Sequence, residues 1–313
     1  MTLASPALGQ ARLNTAPKGM LYATSAMALF GLQDALTKYL VGTYPISQFL
    51  LVRFGVFALF ALGFAATQGG IAQAFVTRRP WLQVARSVIL LIDIALFCVA
   101  LQWMSIGDLH AVYATTPLMV TLLVGPMLGE FVGWRRRTAV AIGFIGALII
   151  IRPGLGVMHW AALIVLASGF FFALYTIATR KVSAEDGLAT STLYASFGVT
   201  LLVAPFGIAQ WQPIDLNGAL AMAGISLTGI LGHMLYMRSL ALAPAIVLQP
   251  LTYMLLVWAV FYGYTLFHTL PDLWTVVGAC VVVASGLYVS WREWVRAREA
   301  GASASDAAQA NSQ

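Results

Sequence analysis

The stretch AVYATTPLMVTLLVGPMLGE (111–130) is similar in residue size and apolar pattern to a later stretch, IVLQPLTYMLLVWAVFYGYTLFH (246–268). The segments that follow them, GFIGALIII (143–151) and GACVVVASGLYV (278–289), also match. The similarity is weak but keeps its order along both halves. The pattern predicts an old internal duplication, and the apolar character of each segment decides the class of fold.

The composition is that of a membrane protein. Hydrophobic residues make up 60% of the 313 residues and charged residues 9%, whereas soluble domains carry roughly 25% charged residues. Mean hydropathy is +0.86. So few charges could not cover the surface of a water-soluble protein of this size. The composition therefore excludes a soluble enzyme, a nucleic-acid-binding module and a disordered protein.

Ten apolar runs are long enough to be considered as membrane spans, since a helix needs about 20 apolar residues to cross a bilayer. A backbone in lipid must satisfy its hydrogen bonds internally, so each run is predicted to be a helix. The fold class is therefore an all-α membrane protein. The predicted spans are 18–40, 46–67, 81–103, 108–130, 138–152, 158–180, 189–210, 218–240, 244–267 and 271–291.

Lysine and arginine orient these spans, because cytoplasmic loops are enriched in both. With the N-terminus inside, 14 of the 17 basic residues fall on the inner segments and helix ends. The outer side keeps Lys38 and Arg152, and Arg53 lies deeper in its span. We therefore expect both termini in the cytoplasm, as an N-terminal tail (1–17) and a C-terminal tail (292–313), of which residues 295–313 are expected to be disordered.

The duplication and the count of spans together predict an inverted repeat. Each half, 18–152 and 153–291, carries five spans. Five is an odd number, so the second half enters the membrane from the opposite face. Inverted repeats of this kind are typical of secondary transporters, in which the substrate binds near the midplane between the halves.

The chain resembles the drug/metabolite transporter superfamily, EamA type, over roughly 19–291. The resemblance is carried by the five-plus-five spans, the Gly129-Glu130 pair after span four and the terminal GLYVSWRE (286–293). Phe267-His268 stands where the Gly-Glu pair should recur. The resemblance implies a carrier in the bacterial inner membrane that works by alternating access.

Two substrates follow from the resemblance. The overall pattern is most similar to the exporters of amino acids, aromatic ones included. The segments FGLQDALTKYL (30–40) and YPISQFLLVR (44–53) instead resemble riboflavin transporters of the same superfamily. We expect an amino acid exporter, with a carrier of riboflavin or another small metabolite as the alternative.

Motifs for other chemistries are missing from the sequence. There is no GxxxxGK[ST] loop, so ATP does not drive the protein directly. No spacing typical of metal ligands occurs, and the four histidines are scattered over four spans. An intramembrane enzyme would need a nucleophile with its base, or a set of metal ligands. We therefore expect no enzyme, no cofactor, no metal and no nucleic acid, and as partners only the substrate and the lipid bilayer.

Charges inside the spans are candidates for function, because a charge at the bilayer centre is costly. Asp34 and Lys38 lie four residues apart on span one and are predicted to pair on one helix face. Lys38 matches Arg180 in the repeat, yet it lies on the side that is poor in basic residues. Asp93 and Arg53 either pair with each other to hold helices together or serve the substrate.

Paired prolines and aromatic residues complete the predicted site. Pro117 and Pro250 fall in corresponding spans of the two halves, where a bend frees backbone carbonyls. Trp258 is the tryptophan that lies far from a predicted interface. Each of these side chains either lines a cavity or packs between helices. The predicted cavity and gate residues are Asp34, Lys38, His110, Tyr113, Pro117, Tyr175, His233, Tyr236, Gln249, Pro250, Tyr253 and Trp258.

The sequence also predicts a monomer. Gly125 and Gly129 form a GxxxG pattern in span four, a spacing that lets helices approach closely. We expect this pattern to pack span four on a neighbouring helix of the same chain, with contact between two chains as the alternative.

Overall fold

The computed structural model describes residues 15–129, 133–152, 159–183 and 185–310. These residues form an all-α structure. Its elements are α1 Ala16–Val41, α2 Ile46–Thr67, α3 Ile71–Ala74, α4 Pro80–Trp103, α5 Ile106–Tyr113, α6 Thr116–Leu128, α7 Trp134–Ile151, α8 His159–Val182, α9 Leu188–Ala209, α10 Leu216–Leu242, α11 Ala245–Leu248, a 3₁₀ helix Gln249–Tyr253, α12 Met254–Phe267 and α13 Leu273–Ala310.

Eight stretches among the described residues are helical, long and apolar enough to cross a membrane. Two of them, Ile106–Leu128 and Gln249–Phe267, are built from more than one helical element. The first and fifth predicted spans are also helical, as α1 and α7. Both are less apolar, because α1 carries Asp34 and Lys38 and α7 begins with three arginines.

The predicted disordered C-terminal tail is wrong as far as residue 310. Helix α13 starts at Leu273 and continues to Ala310, well past the expected end of the span at 291. The segment after 291 is rich in alanine, arginine and glutamate, which have high helix propensity. Residues 1–14 of the N-terminal tail, Glu130 of the Gly-Glu pair, and 311–313 lie outside the described residues.

Helices of the two halves pack in matched pairs. Counting only the long helices, the first helix of one half packs on the third helix of the other half, as α1 with α10 and α8 with α4. Helix α1 also packs on α12, and α8 packs on α6. The second helices pair as α2 with α9, and the last as α7 with α13. Every one of these contacts has its counterpart when the halves are exchanged, which is the pattern of a two-fold relation.

Glycines allow the closest of these approaches. A Cβ added to Gly146 of α7 would lie 2.9 Å from the carbonyl oxygen of Gly278, and one added to Gly278 would lie 2.6 Å from that of Gly146. A side chain at either position would therefore force α7 and α13 apart. Helix α10 uses Gly229 in the same way, where an added Cβ would lie 2.7 Å from Oε1 of Gln33 on α1.

Gly129, by contrast, does not pack a helix. It ends α6 in the left-handed conformation with φ of 72°, and its N–H donates to the carbonyl of Gly125. Glycine is favoured at such a helix end because a Cβ would be strained there. The expectation that the GxxxG pattern packs span four through Gly129 is therefore wrong.

Polar contacts between the halves close each end of the molecule. At one, the Tyr44 end, the Tyr44 hydroxyl donates to Asp215 over 2.6 Å. At the other, the Glu185 end, Arg79 pairs with Glu185 at 2.5 Å, and the Thr77 hydroxyl donates to Asp186. In both cases the connection between the first two helices of one half meets the start of the third helix of the other half.

Candidate functional site

Two helix breaks lie at corresponding places in the halves. Helix α5 ends at Tyr113 and α6 begins at Thr116, with Pro117 in its first turn. In the second half a 3₁₀ helix with Pro250 near its start separates α11 from α12. Proline removes a backbone donor and prevents a continuous α-helix. The helices thus break beside both predicted prolines, and the role of these breaks in gating stays a prediction.

Threonines satisfy the carbonyls at the first break. The Thr115 hydroxyl donates to the carbonyl of Val112 over 2.8 Å, and the Thr116 hydroxyl donates to that of Tyr113 over 2.6 Å. Both side chains are buried. The break is therefore a stable part of the fold, since buried carbonyls need such partners.

Asp34 and His110 meet just before this break. His110 Nε2 lies 3.0 Å from Asp34 Oδ2, which joins α5 to α1. His110 is 4% exposed and Asp34 is 13% exposed. The sequence placed both residues in the site without predicting that they touch.

Asp93 on α4 accepts hydrogen bonds from two hydroxyl groups. Its Oδ1 accepts a hydrogen bond of 2.6 Å from the Ser168 hydroxyl on α8 and a longer one of 3.4 Å from the Tyr113 hydroxyl. Ser168 also donates to the Asp93 carbonyl over 3.1 Å. Hydroxyl groups, and not a cation, therefore hydrogen-bond this carboxyl group.

Aromatic rings surround these polar groups. The ring of Phe97 lies edge-on to those of His110, at 5.7 Å, and Tyr113, at 5.4 Å. Phe172 on α8 lies 6.0 Å from Tyr113 and 6.1 Å from Tyr175. We call the set Asp34, Phe97, His110, Tyr113, Asp93 and Ser168 the central cluster. It lies where α1, α4, α5 and α8 meet, with both halves contributing.

The predicted pair of Asp34 with Lys38 is wrong. Lys38 Nζ instead donates to the carbonyl of Leu101 and, over 2.9 Å, to that of Met104, at the end of α4. Leu101 lies in the last turn of α4 and Met104 is its C-cap residue, and an α-helix leaves carbonyl acceptors without intrahelical donors at this end. Lys38 is thus a link between α1 and the end of α4, whereas Asp34 turns to His110.

The alternative in which Arg53 pairs with Asp93 is also wrong. Arg53 lies close enough to Asp34, Asp93 and Cys98 for electrostatic interaction. Nevertheless, no ion pair or hydrogen bond of its guanidinium occurs with any residue that the structure describes. The nearest ring is that of Phe54, at 5.4 Å.

Two more of the predicted residues, Tyr175 and His233, lie beside other helices of the bundle. The Tyr175 ring lies 5.6 Å from the guanidinium of the buried Arg86, which donates to the carbonyl of Ser191. His233 on α10 is edge-on to Phe57 of α2 at 5.8 Å.

Trp258 is on α12 and packs against α1. A Cβ added to Gly31 would lie 2.8 Å from Trp258 Cβ, and Gly31 is one turn from Asp34. Trp258 also stacks with Tyr262 at 5.9 Å. Its buried indole Nε1 has no hydrogen-bond partner among the described residues.

The remaining predicted residues lie apart from the central cluster. The Tyr253 hydroxyl points at Gly286 of α13, where an added Cβ would overlap it. Gln249 has an exposed side chain at the start of the 3₁₀ helix, and Tyr236 is half-buried on α10. No hydrogen bond or ring contact joins any of these three to the cluster within the described part of the chain.

Sequence reasoning missed Ser168, Phe97 and Phe172. Ser168 was visible as a lone hydroxyl in an apolar run, and buried hydroxyls generally have a partner. Phe97 lies one turn after Asp93, on the same helix face. Nothing in the sequence distinguishes Phe172 from its neighbours Phe170 and Phe171. Among the described residues, no group of three or more His, Cys, Asp or Glu side chains is placed to hold a metal ion.

Comparison with known proteins identifies relatives along nearly the whole chain. The chain is 28% identical to the riboflavin transporter of Vibrio cholerae over 90% of its own length and 95% of that protein. It is 23% identical to the S-adenosylmethionine uptake transporter of Rickettsia prowazekii, over 90% and 95%. These relatives do not support the resemblance to amino acid exporters, and they favour the alternative, a carrier of riboflavin or another small metabolite.

A solved crystal structure shares the fold. It aligns with a TM-score of 0.61 and 16% sequence identity, covering 88% of this chain and 96% of the other. The sequence pattern of the EamA-like transporter family matches this chain twice, at residues 17–152 and 159–291. Each match corresponds to one half, which supports a duplication. The chain therefore belongs to the EamA-like transporter family and is a multi-pass transporter of the bacterial inner membrane, not an enzyme.

Proposed function

We propose that this protein is a secondary transporter that carries riboflavin, or a closely related planar metabolite, by alternating access. The observation that carries the proposal is the similarity to the Vibrio cholerae riboflavin transporter, which extends over 95% of that protein. Such a carrier needs no cofactor and no nucleotide of its own.

The central cluster supports a planar substrate. Phe97 and Tyr113 of the cluster, with Phe172 against Tyr113, present ring edges and faces beside its carboxyl groups. Aromatic rings favour offset stacking and edge-to-face contacts with other rings. The Tyr113 hydroxyl, whose contact with Asp93 is 3.4 Å long, can meet a polar group of a flavin. A site of this kind offers a ring both an apolar surface and a few hydrogen-bonding groups.

The proposal places the substrate between two inverted halves, 18–152 and 153–291, with ten spans and both termini in the cytoplasm. The matched helix pairs α1 with α10 and α8 with α4 support this arrangement. So do the helix breaks at corresponding places in the two halves, a feature of carriers whose substrate lies at the midplane. The Tyr44 end then faces outward and the Glu185 end inward.

Amino acid export is the weaker candidate. An amino acid could place its carboxylate on a basic group such as Lys38 and its ammonium group on Asp34, on tyrosine hydroxyls or on aromatic faces. In the structure Lys38 donates to two carbonyls of α4, and Asp34 pairs with His110. Both groups therefore already have partners within the protein.

Uptake by proteoliposomes that contain the purified protein tests the proposal. We expect saturable uptake of labelled riboflavin that excess phenylalanine or tryptophan does not compete away. Protein-free vesicles are the control for leakage. Saturable uptake of labelled phenylalanine without any uptake of riboflavin would overturn the proposal in favour of amino acid transport. Growth of a riboflavin auxotroph on low riboflavin gives a second, independent readout.

A further inference from the structure

Arg53 is a cation inside a membrane span whose donors the protein does not use. It lies seven residues after Ile46, the start of α2, which corresponds to a depth of about 10 Å. It interacts electrostatically with Asp34, Asp93 and Cys98, so it points toward the interior of the bundle. Its side chain is nevertheless only partly buried. Within the described chain its guanidinium makes no hydrogen bond or ion pair.

The other cations that face the bundle are engaged in a different way. Lys38 donates to carbonyls of α4, and Arg86 donates to the carbonyl of Ser191 and lies beside Tyr175. These two link helices to each other. Arg53 makes no such link between helices, because the ring that it contacts, Phe54 at 5.4 Å, lies on its own helix, although a charge in a span is costly to keep. A role toward a substrate explains why the position holds an arginine.

Aromatic residues continue from Arg53 along one face of α2. Phe57 is one turn further, and Phe60 and Phe64 follow at helical spacing, with ring distances of 6.1 Å and 6.3 Å between neighbours. His233 of α10 meets Phe57 edge-on at 5.8 Å. All three phenylalanines are only partly buried. This face of α2 therefore carries the planar guanidinium of Arg53 and, beyond it, a row of phenylalanine rings.

The chemistry of this face selects among ligands. A guanidinium presents donors in one plane and matches two acceptors that lie side by side. A carboxylate offers such a pair, and so does the edge of a heterocycle with ring nitrogens and carbonyls. Asp34 and Asp93 lie near Arg53, and they would repel an anionic group. A neutral edge avoids that repulsion.

We propose that Arg53 binds the acceptor edge of a neutral planar heterocycle, the pyrimidine ring of a flavin, while Phe57 contacts its ring system. This inference rests on the proposed function and adds a residue that recognises the substrate. It distinguishes this site from one built to hold the carboxylate of an amino acid.

Riboflavin transport by Arg53→Gln and Arg53→Lys proteins in proteoliposomes tests the inference. The Lys variant keeps the positive charge but lacks the planar guanidinium, so it separates the effect of charge from that of the paired donors. 1-Deazariboflavin, in which a C–H group replaces the pyrimidine nitrogen beside a carbonyl, removes one of the two side-by-side acceptors and serves as the altered edge. We expect wild-type protein to prefer riboflavin over this analogue by about tenfold or more, and both variants to lose most of that preference. Arg152→Gln, which removes a partner of Asp272 at the molecular surface, is the matched control.

The outcomes separate the two proposals. Thermal melting in detergent shows whether each variant is folded, and the Lys variant gives a folded protein if the Gln variant fails. Wild-type protein that takes up no riboflavin overturns the proposed function. Wild-type protein that takes up riboflavin, with folded Arg53 variants that keep the same KM and the same preference, overturns the role of Arg53 alone. A loss of preference in the Lys variant with normal melting supports it.

Discussion

His110 Nε2 lies 3.0 Å from Asp34 Oδ2, so a nearly enclosed pair joins the short helix α5 to the long helix α1. Helix α5 ends only three residues later, at the break before Pro117. The pair therefore fixes the segment of span four that lies between the Tyr44 end and the break. A carrier that alternates between two states must move such a segment relative to α1.

We expect Asp34→Asn and His110→Gln each to destabilise the protein by about 3–5 kcal/mol, because each leaves a buried partner without its pair. The double variant should recover much of that stability, since two neutral amides replace both members. Transport should stay at least about tenfold low in the double variant. Thermal melting and riboflavin uptake on the three variants measure this. A double variant with wild-type transport would show that the pair is only a structural clamp.

Lys38 is expected to hold α1 against the end of α4. Lys38→Met removes the donor from the carbonyls of Leu101 and Met104, and hydrogen bonds to charged groups contribute about 1.5–3 kcal/mol. We expect a lower melting temperature and altered transport, with partial rescue in Lys38→Arg. Lys18→Met, on the exposed start of the same helix, should change neither. Equal melting of Lys38→Met and wild-type protein would contradict the link.

The breaks beside Pro117 and Pro250 are expected to serve motion more than folding. Either Pro→Ala variant should fold, because a continuous helix is acceptable in lipid. The uptake rate should fall by about tenfold while the KM for riboflavin changes less. Pro205→Ala is a matched control, since Pro205 lies inside the uninterrupted helix α9. Normal turnover in both Pro117→Ala and Pro250→Ala would refute the idea.

The contact between Tyr44 and Asp215 makes the Tyr44 end sensitive to acid. The hydrogen bond from the Tyr44 hydroxyl, together with that from the Gly218 N–H, lowers the pKa of Asp215 below its ordinary value of 3.8. A carboxyl group with a lowered pKa stabilises the fold above its unfolded pKa, and this contribution is lost as the pH falls through the folded value. We therefore expect the effect to be complete at neutral pH, to begin to decline below about pH 4 and to vanish only below the folded pKa.

Melting curves of wild-type protein and Asp215→Asn at a series of pH values measure this effect. The difference in melting temperature between them should be constant near neutral pH and should shrink in acid. Tyr44→Phe should lower the melting temperature at neutral pH. A difference between wild type and Asp215→Asn that does not change between neutral pH and pH 3 would contradict the assignment.

The class of fold and the division into two halves were predictable from the amino-acid sequence. The scarcity of charge and the length of the apolar runs leave only membrane helices, because lipid offers the backbone no hydrogen-bond partners. Proline at 117 and 250 is enough to predict two broken spans, since the restriction is local to the residue. The end of the last helix was not predictable from hydropathy, because the segment up to Ala310 is helical through propensity and not through apolar character.

The partners of the charged groups, by contrast, depend on how the helices pack. Asp34 and Lys38 share a helix face by their spacing, and that spacing allowed a pair. The nearness of α5 and α4 gave each residue another partner, His110 for Asp34 and the carbonyls of Leu101 and Met104 for Lys38. Spacing along one helix fixes only neighbours on that helix. The partners across helices depend on how the helices pack, and glycines such as Gly31 and Gly229 set that distance by letting backbones approach.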